Sequence, residues 1–120
     1  MIDGGEADTD FCYVTTRGRR TGQPHEIEIW FAADGDTLYL LSGGGDRSDW
    51  VRNLRADAAV TVRLGETTRP GRARVVAAGT DEDARARRLV FEKYQPRYGG
   101  DLSDWRVRAL AVAIDLARQS

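Results

Sequence analysis

The densest concentration of potential chemistry in the chain is Thr15-Thr16-Arg17-Gly18-Arg19-Arg20-Thr21-Gly22-Gln23-Pro24, where three guanidiniums and a hydroxyl fall in a turn bracketed by Gly18 and Gly22. Glycine lets successive backbone N–H groups converge, and each arginine presents a planar fork of donors that matches a phosphate or carboxylate. The pattern is that of an anion site, suited to a phosphorylated cofactor. A solvated hairpin tip has the same composition, so the segment alone leaves both readings open. Other chemistry is poorly supplied. With one histidine, His25, and one cysteine, Cys12, no three-ligand metal site is expected. Ser42 as a nucleophile would depend on His25 as its base, and no Gly-x-Ser-x-Gly surrounds it. Gly43-Gly44-Gly45 has neither the Walker nor the dinucleotide spacing, and reads instead as a place where backbone approaches something flat or anionic. Trp50 and Asn53 lie on one face of the element that follows, either as core anchors or as walls of a ligand site. Tyr94, Tyr98 and Trp105 flank Pro96 and Gly99-Gly100, as a substrate lid or as a packed loop.

The elements that must position these residues are legible from periodicity. Phe11 to Thr16 alternates as a strand entering the arginine turn, and the chain returns with Ile27, Ile29 and Phe31 on one face and Glu26 and Glu28 on the other. Trp30 is an apolar exception on that charged side. With no evident internal partner, it suggests a contact in a homodimer. Asp34-Gly35-Asp36 turns into a third strand, Thr37 to Ser42, whose run Leu38-Tyr39-Leu40-Leu41 implies burial on both faces. A short helix capped by Asp46 or Ser48 follows the glycines. A fourth strand contains Val60, Val62 and Leu64, and a fifth, after a turn at Arg69-Pro70-Gly71, contains Ala73, Val75 and Ala77. Thr80 and Asp83 open the longest helix, which ends near Tyr94 before Pro96. Leu110 to Leu116 fits a strand by alternation and a helix by alanine content. We read it as a strand that closes an antiparallel sheet. Residues 1–10 are a polar, flexible lead-in, and residues 11–120 form one domain, mainly β (α+β), a small barrel of about six antiparallel strands with two or three helices.

The chain has 120 residues, with 18 basic against 19 acidic, 41% hydrophobic and 31% charged, the profile of an ordinary globule without the basic excess that nucleic acid demands. No apolar stretch is long enough to span a bilayer and the first ten residues do not resemble a signal peptide, so a cytoplasmic protein with no stable membrane association is expected.

Three ordered motifs carry a resemblance: Thr15 to Pro24, then Leu40-Leu41-Ser42-Gly43-Gly44-Gly45, then Trp50-Val51-Arg52-Asn53-Leu54-Arg55-Ala56-Asp57. Together they resemble the deazaflavin-dependent nitroreductase and quinone reductase family over nearly the whole chain. The resemblance implies a split β-barrel that binds coenzyme F420, a deazaflavin with a phosphate and an oligoglutamate tail. It implies hydride transfer to quinones, nitroaromatics or unsaturated lactones. It assigns Arg19, Arg20 and Thr21, with Arg17 and Gly22, to the anionic tail, and His25, Ile27, Trp30, Leu41, Ser42, Gly43, Gly44, Trp50 and Asn53 to the cofactor. Tyr94 and Tyr98 fall on the substrate side, and Ser42, Tyr94 and Tyr98 are the donors expected to steady charge developing on the acceptor. Gly43 stands where members often carry lysine and His25 where they carry arginine, for which Arg17 and Arg20 compensate. The chain begins almost at its first strand, without the family's N-terminal extension, so menaquinone is not the expected substrate. The alternatives are an FMN-dependent enzyme on the same barrel and a flavin or deazaflavin carrier without turnover.

Overall fold

In the computed structural model, which describes residues 2–117, Cys12, Val14 and Thr16 point inward from the first strand, β1 (Cys12–Arg17), with Tyr13, Thr15 and Arg17 outward. The chain turns through the arginine segment and returns antiparallel as β2 (Pro24–Ile29), with Arg17 opposite Pro24 and Cys12 opposite Ile29. The expected continuation of this strand through Phe31 does not occur. β2 stops at Ile29, and pairing resumes at β3 (Ala32–Asp34), which joins β4 (Thr37–Ser42) at the far edge of the sheet. With β5 (Ala59–Leu64), β6 (Thr67–Val75) and β7 (Leu110–Leu116), the order is β2-β1-β5-β6-β7-β4-β3. Every neighbouring pair is antiparallel. The described residues thus form seven strands where about six were expected, because the second strand is broken. The two edge strands are joined only through Trp30 and Phe31, so the sheet must curl to bring its edges near each other without pairing them. That is a split barrel.

The concave side is filled by Val14, Leu38, Leu40, Val62, Val112 and Ile114, onto which α2 (Asp49–Ala56) lays Val51 and Leu54. On the other side α3 (Asp81–Tyr94) packs Ala86, Val90 and Tyr94 against Tyr39, Leu41, Ala111 and Ala113. β4 and β7 are therefore covered on both faces, which accounts for the unbroken apolar run Leu38 to Leu41. It also explains why the C-terminal segment is a strand despite its alanines. Ala111 and Ala113 are small enough for α3 to lie close, while Val112 and Ile114 fill the barrel. Thr80 caps α3 as expected, its hydroxyl accepting from the Asp83 amide at 3.1 Å.

The turn before β6 is Gly65-Glu66, with Gly65 at φ +60°, and not Arg69-Pro70-Gly71. Pro70 is tolerated within the strand because the β7 ladder ends beside it, at the pairing of Gly71 with Leu116. Gly71 is required by packing, since a Cβ there would lie 2.9 Å from Ile114 Cγ2. Two further helices, α1 (Gly4–Ala7) and α4 (Ser103–Arg108), bring the described total to four where two or three were expected. Within the lead-in expected to be flexible, Asp3 and Glu6 form a capping box around α1, and Ile2 joins the core. Residues 1 and 118–120 of the two expected segments lie outside the described residues.

The Trp30-Phe31 corner is held by the end of α3. The Tyr94 hydroxyl accepts from the Phe31 amide at 3.0 Å and donates to the Asp10 carbonyl at 2.7 Å, and its ring stacks on Trp30 at 4.4 Å with only 4° between planes. Lys93 reaches the same corner, with Nζ donating to the Ala7 and Phe31 carbonyls at 2.9 Å and lying 3.6 Å from the centroid of the Phe31 ring. Burial, with repulsion from Arg97, pulls the Lys93 ammonium down to about 8. Burial pushes the Tyr94 phenol up to about 12, so it remains a proton donor. Tyr94→Phe leaves the Phe31 amide unpaired, and its expected cost is about 1 to 3 kcal/mol in urea denaturation, with the slope unchanged. An unshifted midpoint would show that the hydroxyl does not hold the corner.

Candidate functional site

The arginine turn is closed by its own backbone. Gly18 N–H donates to the Gln23 carbonyl and Gly22 N–H to the Gly18 carbonyl, both at 2.8 Å, with Gly22 in the left-handed region at φ +75°. The Thr21 hydroxyl oxygen accepts from the Gln23 amide at 3.2 Å, which leaves its O–H free to donate outward. The turn is fastened to α2 by Asn53, which is 3% exposed and therefore must satisfy its amide within the protein. Asn53 Oδ1 accepts from the Arg19 amide at 3.2 Å and from the Arg19 guanidinium at 2.9 Å, and Nδ2 donates to the buried Thr16 hydroxyl at 3.2 Å. A cleft of about 260 Å³ lies here, lined by Gly18, Arg19, Arg20, Thr21, His25, Asp49, Trp50 and Asn53.

The three arginines do not act together. Arg19 is committed to Asn53 and to Asp49, whose carboxylate is 3.2 Å away. Arg17 points outward from β1 and pairs with Asp57 at 3.8 Å, in a separate groove that also contains Gly22. Arg20 is exposed, with no charged partner among the described residues, and is the cation in this cleft that is free to meet an anion. The sequence showed the cluster but not its division, because β1 ends with Arg17 on its outward face and the turn that follows carries Arg19 and Arg20 to the side of α2.

The glycine segment begins with Ser42, buried at the end of β4. Its Oγ lies 3.0 Å from Ser48 Oγ and donates to the Gly45 carbonyl at 3.3 Å, so the hydroxyl shapes the loop and does not point into a cleft. Ser48 occupies the N-cap position of α2 without capping it, its hydroxyl being drawn to Ser42 instead. A Cβ on Gly44 would collide with the Ser48 hydroxyl, and one on Gly43 would sit 3.4 Å from the Trp105 indole nitrogen. Backbone approach is what the glycines provide.

The larger cleft, about 570 Å³, lies at the other end of β2 between Phe11, Ile29, Trp30, Leu41, Tyr98 and Trp105, with Glu28, Asp101, Leu102 and Asp104 completing it. Trp30 forms its floor, edge-on to Tyr98 at 5.8 Å and to Trp105 at 5.7 Å. The internal partner that Trp30 was expected to lack is this aromatic set, so Trp30 gives no support to a dimer contact. The loop after α3 is ordered by Gln95, which accepts from the Leu102 amide and donates to the Gly100 carbonyl. Arg87 fixes α4 by donating to the carbonyls of Arg106, Val107 and Ala109. Tyr98 is 49% exposed, whereas the Tyr94 hydroxyl is spent on backbone. Phe11, Glu28, Asp101 and Asp104 were missed as lining residues. Trp30, Leu41 and Tyr98, which the resemblance assigns to the site, also line this cleft, and the aromatic density around Pro96 signals the same end.

The two clefts share their bounding segments. His25 lines one and Ile29 the other, with Ile27 between them on the same face of β2, a span of about 13 Å at the usual rise per residue. Across from β2, Leu41 lines the aromatic cleft and Trp50 the basic one, so the glycine segment runs between. No group of three or more candidate metal ligands occurs among the described residues. Asn53→Ala removes the fastening of the turn. A stability loss of about 1 to 3 kcal/mol and faster hydrogen exchange at the Arg19 amide are expected, and unchanged exchange at that amide would show that α2 does not fix the turn.

Residues 4–116 match the family model described as F420H(2)-dependent quinone reductase. The F420H(2)-dependent quinone reductase Rv1261c of Mycobacterium tuberculosis is 35% identical over 86 residues, covering 69% of this chain, and the chain spans only 58% of that relative's length. Among solved structures, an F420-H2 dependent reductase, FDR-A, superimposes with a TM-score of 0.71 at 17% identity over 88% of this chain and 93% of that one. The heme storage protein HutZ of Vibrio cholerae gives 0.76 at 11% identity over 95% and 86%. At these identities the solved structures speak to the split-barrel fold alone. The match over residues 4–116, together with the relative's identity, shows that the chain belongs to the F420H(2)-dependent quinone reductase family.

Proposed function

We propose that this protein is an F420-dependent reductase whose groove holds the anionic tail of the cofactor at the arginine turn and a planar, electron-poor acceptor in the aromatic cleft. The observation that carries the reading is that β2 and the Leu41 to Trp50 segment bound both clefts, so one elongated ligand with a charged tail and a flat head can lie along them. The donor set fits such a ligand. Arg20 has an uncommitted guanidinium, Thr21 a free O–H, and Gly43 leaves the backbone open beside Trp105. When bound, a reduced deazaflavin would supply the hydride.

The chain's own residues bind, orient and exclude water. Arg20 and Thr21 meet the tail, and Arg19 joins them when an anion displaces Asp49. Ile27 and Leu41 offer apolar walls to a ring, and Trp30 and Trp105 do the same for an acceptor and keep water from it. Tyr98 is the donor placed to steady negative charge on the acceptor. Tyr94 acts through Trp30 as a positioning residue, and Ser42 through the glycine loop. Of the three donors expected from the sequence, Tyr98 therefore has the direct role. Action in the cytoplasm belongs to the same reading, supported by a single cysteine that is buried and unpaired.

Two variants test the anion site by opposite signs. Arg20→Ala removes a charge-assisted contact and is expected to weaken F420 binding about ten- to hundredfold in a fluorescence titration. Asp49→Asn releases Arg19 from an exposed ion pair and is expected to tighten binding about two- to fivefold. Unchanged affinity in both would contradict the assignment. Tight binding with no oxidation of the reduced cofactor by neutral quinones or nitroaromatics would establish a carrier in place of a reductase.

A further inference from the structure

We infer that the acceptor site favours planar, electron-poor molecules bearing a positive charge, such as a quinone or nitroaromatic with a quaternary ammonium substituent. The inference rests on the acceptor side of the proposed function and narrows it. Three carboxylates, Glu28, Asp101 and Asp104, line the aromatic cleft, and no lysine or arginine does. Asp104 is answered by Arg108 at 3.2 Å. Glu28 and Asp101 have no cationic partner among the described residues. Glu28 accepts only from the neutral Tyr13 hydroxyl at 2.6 Å, and Asp101 accepts from the amide and hydroxyl of Ser103. Those two hydrogen bonds hold the Asp101 carboxyl below the usual range, so it stays ionised. Of the guanidiniums nearby, Arg97 on the adjoining loop is taken up by Asp8 and Asp10, and Arg63, 4.0 Å from the centre of the Tyr13 ring, pairs with Glu26 at 3.6 Å.

The walls reinforce the rim. Trp30, Trp105, Tyr98 and Phe11 present aromatic surface to the cavity, and the faces of such rings attract cations. A neutral quinone would use the aromatic walls and gain nothing from the carboxylates. An anionic one would meet the charges of Glu28 and Asp101. A cationic one would gain from both. The two ends of the groove thus carry opposite signs, basic at Arg20 and acidic at Glu28 and Asp101, which also disfavours the cofactor's tail at the acceptor end. Reduction of such an acceptor takes one hydride from the reduced deazaflavin and one proton from water, a two-electron balance in which the charged substituent takes no part.

The test uses two naphthoquinones that differ only in a trimethylammonium or a sulfonate substituent, titrated against the cofactor-free protein by quenching of tryptophan fluorescence. Wild-type protein is expected to bind the cation about tenfold more tightly than the anion at low salt, with the ratio shrinking as salt is added. In the double variant Glu28→Gln with Asp101→Asn, which keeps both acceptors and removes both charges, the ratio is expected to fall to about twofold or less. Equal or tighter binding of the sulfonate by wild type, or a ratio unchanged in the double variant, would overturn the inference. A parallel F420 titration separates the two levels. Absent F420 binding with the charge preference intact overturns the proposed function alone, and F420 binding without a charge preference overturns this inference alone.

Discussion

The contact on which the rest of the molecule depends is the clamp of Tyr94 on the Trp30-Phe31 corner. Its hydroxyl satisfies the Phe31 amide and its ring stacks on Trp30. At this corner the chain leaves one edge of the sheet and enters the other, so fixing it sets how far the barrel is split. The same stack makes Trp30 the floor of the aromatic cleft. Stability and cleft geometry are thereby tied together at one point, by what the last turn of the long helix α3 holds in place.

Along the groove that results, charge and shape are graded. At the arginine turn, Asn53 bonds both the amide and the guanidinium of Arg19, Asp49 pairs with Arg19, and Arg20 has no charged partner among the described residues, so under the proposed function an anion would exchange with the Asp49 carboxylate. Preorganisation by a buried amide lowers the ordering cost of the turn when a ligand arrives. At the far end the lining is aromatic and acidic, with no lysine or arginine among the residues that bound the cleft. Between them, the Ser42 hydroxyl and the close contacts of Gly43 and Gly44 keep side chains out of the way.

Much of this was legible in the sequence where a local rule sufficed. The period-two pattern located β1, β4 and β7, Thr80 announced α3, and the ordered motifs announced the family. The failures share a cause, which is that they depended on which distant segments meet. The break in the second strand follows from Tyr94, more than sixty positions away, taking the Phe31 amide. Pro70 read as a turn because its tolerance depends on where β7 ends. Trp30 read as a surface residue because its partners lie on α3, on α4 and in the loop between them. The acidic lining was invisible because Glu28, Asp101 and Asp104 are brought to one cleft only by the fold.

The most direct measurement is a crystal structure of the protein soaked with coenzyme F420. The tail's phosphate or carboxylates are expected within hydrogen-bond distance of Arg20 and Thr21, with the ring along Ile27 and the glycine segment and the aromatic cleft left open for an acceptor. A cofactor bound in the outer groove beside Arg17, or with its tail among Glu28 and Asp101, would contradict this placement.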